Sequence, residues 1–241
     1  MKAKLFALAL CAASAFCAEA GAQIIRDDEL AKYAVEKYGE DWEEAATKIA
    51  AEHPLDANNA FTFTEVLQAP GMDANKIYDE LQMWFTSTFV DSKSVIQTSE
   101  RERGLIIARG FISGTGSSVG AFTSVGISIT PTIKVQIKDE RIRVTYSVPF
   151  YIEVLGSYTE VLGSGILGDF GDVFYKTNVT LDKTFPFGEV TGSSKRARRK
   201  AYGRSLVMCN AYANVVLDKL DKVIKNGFDG SANEEWYITA I

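Results

Sequence analysis

From Asp27 to Glu52 apolar residues recur every three or four positions, at Leu30, Ala34, Tyr38, Trp42, Ala45, Ala46 and Ile49, with acids and lysines between them. That spacing lays a stripe along a helical surface and predicts two helices. Gly39 closes the first by taking the left-handed conformation of a helix end, and Asp41 with Glu44 three residues on resembles a capping box opening the second. After His53-Pro54 the period falls to two. Phe61, Phe63, Glu65 and Leu67 alternate with Thr62, Thr64 and Val66, a half-buried strand that Pro70-Gly71 ends. Asp73 then caps a helix whose Ile77, Leu81, Trp84, Phe85 and Thr88 form an apolar stripe suited to lying on a sheet.

Four further strand runs follow, at Ser94 to Ser99, Leu105 to Ser113, Ala121 to Lys138 and Arg141 to Val154. The charged turns at Glu100 to Gly104 and Asp139-Glu140 are short, and short connections imply antiparallel hairpins. Pro131 inside the long run predicts an edge strand or a bulge. Gly156 to Pro186 is punctuated by glycine and holds one more strand candidate, Val173 to Thr180. The last element is a helix from Ser194 to Asn226, with Ala201, Leu206, Cys209, Ala213, Val216, Leu220 and Val223 inside and Gly227 as its stop. Antiparallel strands with helices gathered on one face predict an α+β domain over residues 59–227, preceded by a helical segment at 23–58 and followed by a tail at 228–241.

Several of these features carry a resemblance. Phe63-x-x-Val66, the turn Pro70-Gly71-Met72, the helix with Ile77-Tyr78 and Trp84-Phe85, the Gly104 to Gly110 strand, and Ile137-Lys138-Asp139-x-Arg141-x-Arg143 are similar to the domain of unknown function 4468 family. The resemblance covers roughly Phe61 to Tyr151. It implies a TATA-box-binding-protein-like fold, a curved antiparallel sheet with a β-α-β4-α core, and an exported Bacteroidetes setting. It implies no activity, and the fold label carries no DNA binding with it.

The first 22 residues change where the protein is expected to act. Lys2 and Lys4 precede an apolar run from Leu5 to Cys17 and the small-x-small pattern Ala20-Gly21-Ala22, the marks of a cleaved signal peptide. Cleavage after Ala20 is the rival, through Ala18-Glu19-Ala20. The run is shorter than the roughly 20 residues of a membrane-spanning helix. Phe16 before Cys17 and Leu10 before Cys11 suit neither cysteine to acylation, so a lipoprotein is not expected. Cleavage leaves Cys209 as the one cysteine, which excludes an intramolecular disulfide. Removing two lysines and one glutamate takes the formal charge from −5 to −6, and that acidity speaks against nucleic acid as partner.

Candidate chemistry is sparse. Gly163-Ser164-Gly165-Ile166-Leu167-Gly168 spells a dinucleotide fingerprint, but no helix begins after it, so it reads as a surface loop. Gly116-Ser117-Ser118-Val119-Gly120 spells a nucleophile elbow, yet strand follows it and the single histidine, His53, lies upstream; it reads as a hairpin loop. His53 itself reads as a helix-terminal residue, favourable to the dipole. One histidine and one mature cysteine make no usual zinc site, and Asp169 with Asp172 is a weak calcium candidate, so neither metal nor cofactor is expected.

The charge anomaly is Lys195, Arg196, Arg198, Arg199, Lys200 and Arg204, cations gathered where a helix dipole is already positive. They read first as a solvated face or as partners for acids on the N-terminal helices. The functional readings are contact with an anionic lipid surface or an anionic ligand, to which Arg101, Arg103 and Arg109 are possible additions; charge reversal at Arg198 and Arg199 is then expected to weaken vesicle binding. The stripe Tyr78, Trp84, Phe85 and Phe89 reads as core, with a pocket for an apolar ligand as its functional alternative. An exposed strand edge would instead favour a protein partner by strand addition. The resulting expectation is an exported, non-enzymatic binding or interaction module; the alternative is a hydrolase whose carboxylates spacing does not reveal.

Overall fold

The computed structural model describes residues 27–88, 95–119, 123–157, 173–192 and 194–228. Residues 1–26, Phe89, the Gly163–Gly168 and Asp169–Asp172 motifs and residues 229–241 lie outside the described residues. Two N-terminal helices, α1 (Asp27–Tyr38) and α2 (Trp42–Glu52), lead into strand β1 (Phe61–Gln68) and helix α3 (Ala74–Thr88). Gly39 takes φ +81° and returns its N–H to the Val35 carbonyl at 2.8 Å, while Asp41 accepts from the amides of Glu43 and Glu44 at 3.0 and 3.1 Å. Asp73 does the same for α3 through the Lys76 amide at 2.9 Å. The two aspartates satisfy amides that a helix start leaves without an internal partner, and Gly39 satisfies a carbonyl at a helix end.

Seven more strands follow in two groups: β2 (Ile96–Glu100), β3 (Leu105–Arg109), β4 (Ile112–Val119), β5 (Thr123–Ile129), β6 (Thr132–Lys138), β7 (Arg141–Val148) and β8 (Phe150–Ser157). An eighth, β9 (Val173–Thr180), and a short 3-10 turn at Leu181–Lys183 precede the long helix α4 (Lys195–Asn226). All pairings are antiparallel, in the orders β1-β7-β6-β3-β2 and β4-β5-β8-β9. The middle of one order is the continuation of the other: β3 runs into β4, β5 into β6 and β7 into β8 after one or two residues. The three long runs of the sequence are therefore six strands, and the sheet turns along one line.

Gly110, Pro131 and Pro149 lie on that line. Proline has no N–H to give the ladder, and glycine permits the close bend, with its own N–H reaching the Pro131 carbonyl at 2.9 Å. Of the two readings the sequence offered, an edge strand or a bulge, the first does not hold. β5 and β6 each have neighbours on both sides, and the proline is accommodated because the ladder breaks there. The Gly116 segment also departs from expectation: it is strand β4, paired from Gly116 to Val119 with β5, and not a hairpin loop.

The core lies between the bent sheet and the helices. Alternate residues point inward: Ile133, Val135 and Ile137 on β6, Ile142, Val144, Tyr146 and Val148 on β7, Val125, Ile127 and Ile129 on β5. Helix α4, at about 1.5 Å per residue, is some 48 Å long. It packs on β4 and β5, on α1, α2 and α3, and at β1 and β7. Gly227 ends it at φ +79°, with its N–H on the Val223 carbonyl. Among the described residues no helix is long and apolar enough to cross a membrane.

Candidate anion-contact site

The first three turns of α4 carry the basic run, and the fold divides it. Arg198 points into the sheet and forms a two-pronged bond with Glu153 of β8, Nε to Oε2 at 3.1 Å and Nη2 to Oε1 at 2.9 Å. Glu153 is 1% exposed. The Tyr202 hydroxyl, one helical turn after Arg198, donates to the same carboxylate at 2.6 Å. Its ring stacks on Tyr151 with centroids 5.9 Å apart. Burial, reinforced by the adjacent carboxylate, pushes the Tyr202 phenol well up, so it stays a donor.

Arg199 is engaged on the other side. It pairs with Glu43 of α2 and lays its guanidinium 3.7 Å from the centre of the Phe185 ring. This is the pairing with N-terminal acids that the sequence allowed. Lys195 meets Glu189 at 3.0 Å, and Arg204 donates to the Ser117 carbonyl at 3.2 Å. Arg196 and Lys200 have no ion pair or hydrogen bond among the described residues. Four residues apart, they share one face of the helix. Ser194 takes the N-cap position, yet its side chain makes no capping bond, so the first-turn amides beside these two cations are not satisfied by it.

The remaining candidates are placed elsewhere. Arg101 pairs with Asp79 and covers the Tyr78 ring at 4.6 Å; Arg103 pairs with Glu100 at 2.9 Å. Neither joins the α4 cluster. Tyr78, Trp84 and Phe85 are 6%, 5% and 0% exposed, with Trp84 edge-on to Phe85 at 4.8 Å. His53 ends α2 with its N–H on the Ile49 carbonyl, and its ring lies against Phe61 and Phe63. Burial pushes the Cys209 thiol up to about 12, far from a reactive thiolate at neutral pH. No group of three or more His, Cys, Asp or Glu placed to hold a metal occurs among the described residues.

Sequence reasoning missed Glu153. Its signal was present: an acid in the apolar run Phe150-Tyr151-Ile152-Glu153-Val154-Leu155, on the face that Tyr151 buries. A buried carboxylate requires a cation or donors, and the basic run supplies both.

Known proteins place the domain without giving it an activity. No curated protein matches the chain. Solved structures similar to it include a TBP-like protein from Parabacteroides distasonis, with 10% identity, a TM-score of 0.43, and coverage of 72% of this chain and 97% of that one. Another is a DUF4468 family protein from Bacteroides ovatus, with 16% identity, a TM-score of 0.41, and coverage of 73% and 91%. Residues 63–151 match the family described as domain of unknown function (DUF4468) with TBP-like fold, the stretch from β1 to the start of β8. Residues 63–151 are thus similar to the DUF4468 domain with TBP-like fold, and helix α4 with its basic run lies outside that stretch.

Proposed function

We propose that the chain is an exported, non-enzymatic binding module that meets a phosphate-bearing anionic partner through Arg196 and Lys200. The observation that carries this reading is the division of the basic run: four cations are engaged by other groups of the fold and two are left on one helix face. Cations at a helix start oppose the dipole, and like charges four apart repel, each by a few tenths of a kcal/mol. An anion at that face relieves both. The leader-like first 22 residues support export. Glu153 held by Arg198 and Tyr202, and Cys209 kept protonated, support a binding role over chemistry of the chain's own.

The test is co-sedimentation with vesicles of mixed phosphatidylglycerol and phosphatidylcholine at low salt. A cation near an anionic surface contributes about 1 kcal/mol, so neutralising two, as Arg196→Gln/Lys200→Gln, is expected to lower binding about 30-fold. Competition by inorganic phosphate would assign the site to a free anion; binding that ignores phosphate would assign it to lipid headgroups. Undiminished binding by the double variant, or binding insensitive to salt, would remove the proposal.

A further inference from the structure

Strand β9 ends the four-stranded sheet, and its outer edge has no partner among the described residues. Its pairing to β8 is unbroken over eight residues, from Val173 opposite Ser157 to Thr180 opposite Phe150. Other edges are blunted. β2 is five residues long with a register shift between Ile96 and Thr98, and β4 has one between Ile112 and Gly116 and lies beneath α4. β1 carries Glu65 in the middle of its exposed stretch. On β9 four consecutive residues, Tyr175 to Asn178, are exposed, Tyr175 by 53%. Its one charge is Lys176, and an edge that is regular over eight residues is otherwise a template for another strand.

The sequence of β9 is complementary to itself. Place a second copy antiparallel, with the two-fold axis at Thr177. Tyr175 then faces Val179 of the second copy, an aromatic and β-branched pair, and Thr177 faces Thr177; both are favourable cross-strand combinations. Lys176 is the one charged residue of the strand, and in this register it faces Asn178 of the second copy and not another lysine. Val179 already leans on the core, while Tyr175 stands free, so each tyrosine would cover the apolar margin of the other copy. We infer that two copies of this chain join through β9, making one continuous eight-stranded sheet across the two-fold.

Thr177 is exposed, so its replacement tests the contact without touching the core. The purified chain is expected to sediment as a dimer in analytical ultracentrifugation. Thr177→Lys and Thr177→Glu each set like charges face to face and should raise the dimer dissociation constant about fivefold or more. Mixing the two variants should restore the dimer as a heterodimer. Circular dichroism of each variant checks that the fold is retained. A monomeric parent chain, a dimer that both variants leave intact, or a mixture that stays monomeric overturns the inference. A photo-crosslinker at Tyr175 that captures a different protein in place of a second copy does so too.

Discussion

Arg198→Met is expected to destabilise the fold by about 3–5 kcal/mol, the range for stripping one partner from a buried ion pair. The cost arises on the acid. Glu153 is 2% exposed at its side chain, and without the guanidinium it keeps only the Tyr202 hydroxyl among the partners described above. Arg198 is itself 25% exposed, so its own desolvation is modest and the lower half of the range applies. Removing the charge as well, in Glu153→Leu/Arg198→Met, should recover part of the loss. What remains is the Tyr202 hydroxyl without its acceptor, about 1–3 kcal/mol. Urea denaturation of the parent, single and double variants measures both steps. A single variant within 1 kcal/mol of the parent, or a double variant no better than the single, would contradict the role given to Glu153.

Gly116→Ala is expected to cost about 3 kcal/mol, at the upper end of overpacking. A Cβ at Gly116 would lie 2.1 Å from the Ala201 carbonyl oxygen and 3.0 Å from the Ser205 amide nitrogen, both backbone atoms of α4. A side chain can swing aside; a helix must move whole. Moving it would also break the buried bond between Thr115 and Ser205, 2.7 Å between hydroxyl oxygens. Gly126 on the adjacent strand is the control, since a Cβ there meets nothing within 4 Å. Gly126→Ala should leave the urea midpoint where it is or raise it slightly. Equal behaviour of the two variants would mean that β4 and α4 do not approach as described.

Local pattern made the elements legible. Leu30 to Ile49, Ile77 to Phe85 and Ala201 to Val223 each show a helical stripe that the fold buries, and Gly39, Asp41, Asp73 and Gly227 cap as their chemistry requires. Less legible was the line where the sheet turns. Gly110, Pro131 and Pro149 are ordinary in isolation, and their meaning comes from lying side by side once distant strands pair. Gly116 was misread for the same reason: glycine and serine suggest a loop, but here glycine is required by a helix packed against a strand.

The basic run shows the limit most clearly. Six cations are visible in the sequence, but which are structural depends on Glu153, 45 residues before Arg198, and on Glu43, 156 residues before Arg199. Helical spacing places Arg196 and Lys200 on one face but does not tell that the others are engaged. Charge reversal at Arg198 and Arg199, the natural choice from sequence, would report on folding before it reported on any ligand. Arg196 and Lys200 are the informative pair.

That division of labour is the central claim, and an alanine scan of the six cations by urea denaturation tests it most directly. The expected profile is a large loss at Arg198 and smaller losses at Arg199, Lys195 and Arg204, whose pairs are more exposed or single bonds. Arg196 and Lys200 should be unchanged or slightly more stable, because each alanine relieves repulsion at a positive helix end. A loss at Arg196 or Lys200 comparable to that at Arg198 would contradict the account, since those two would then be part of the framework and not its free surface.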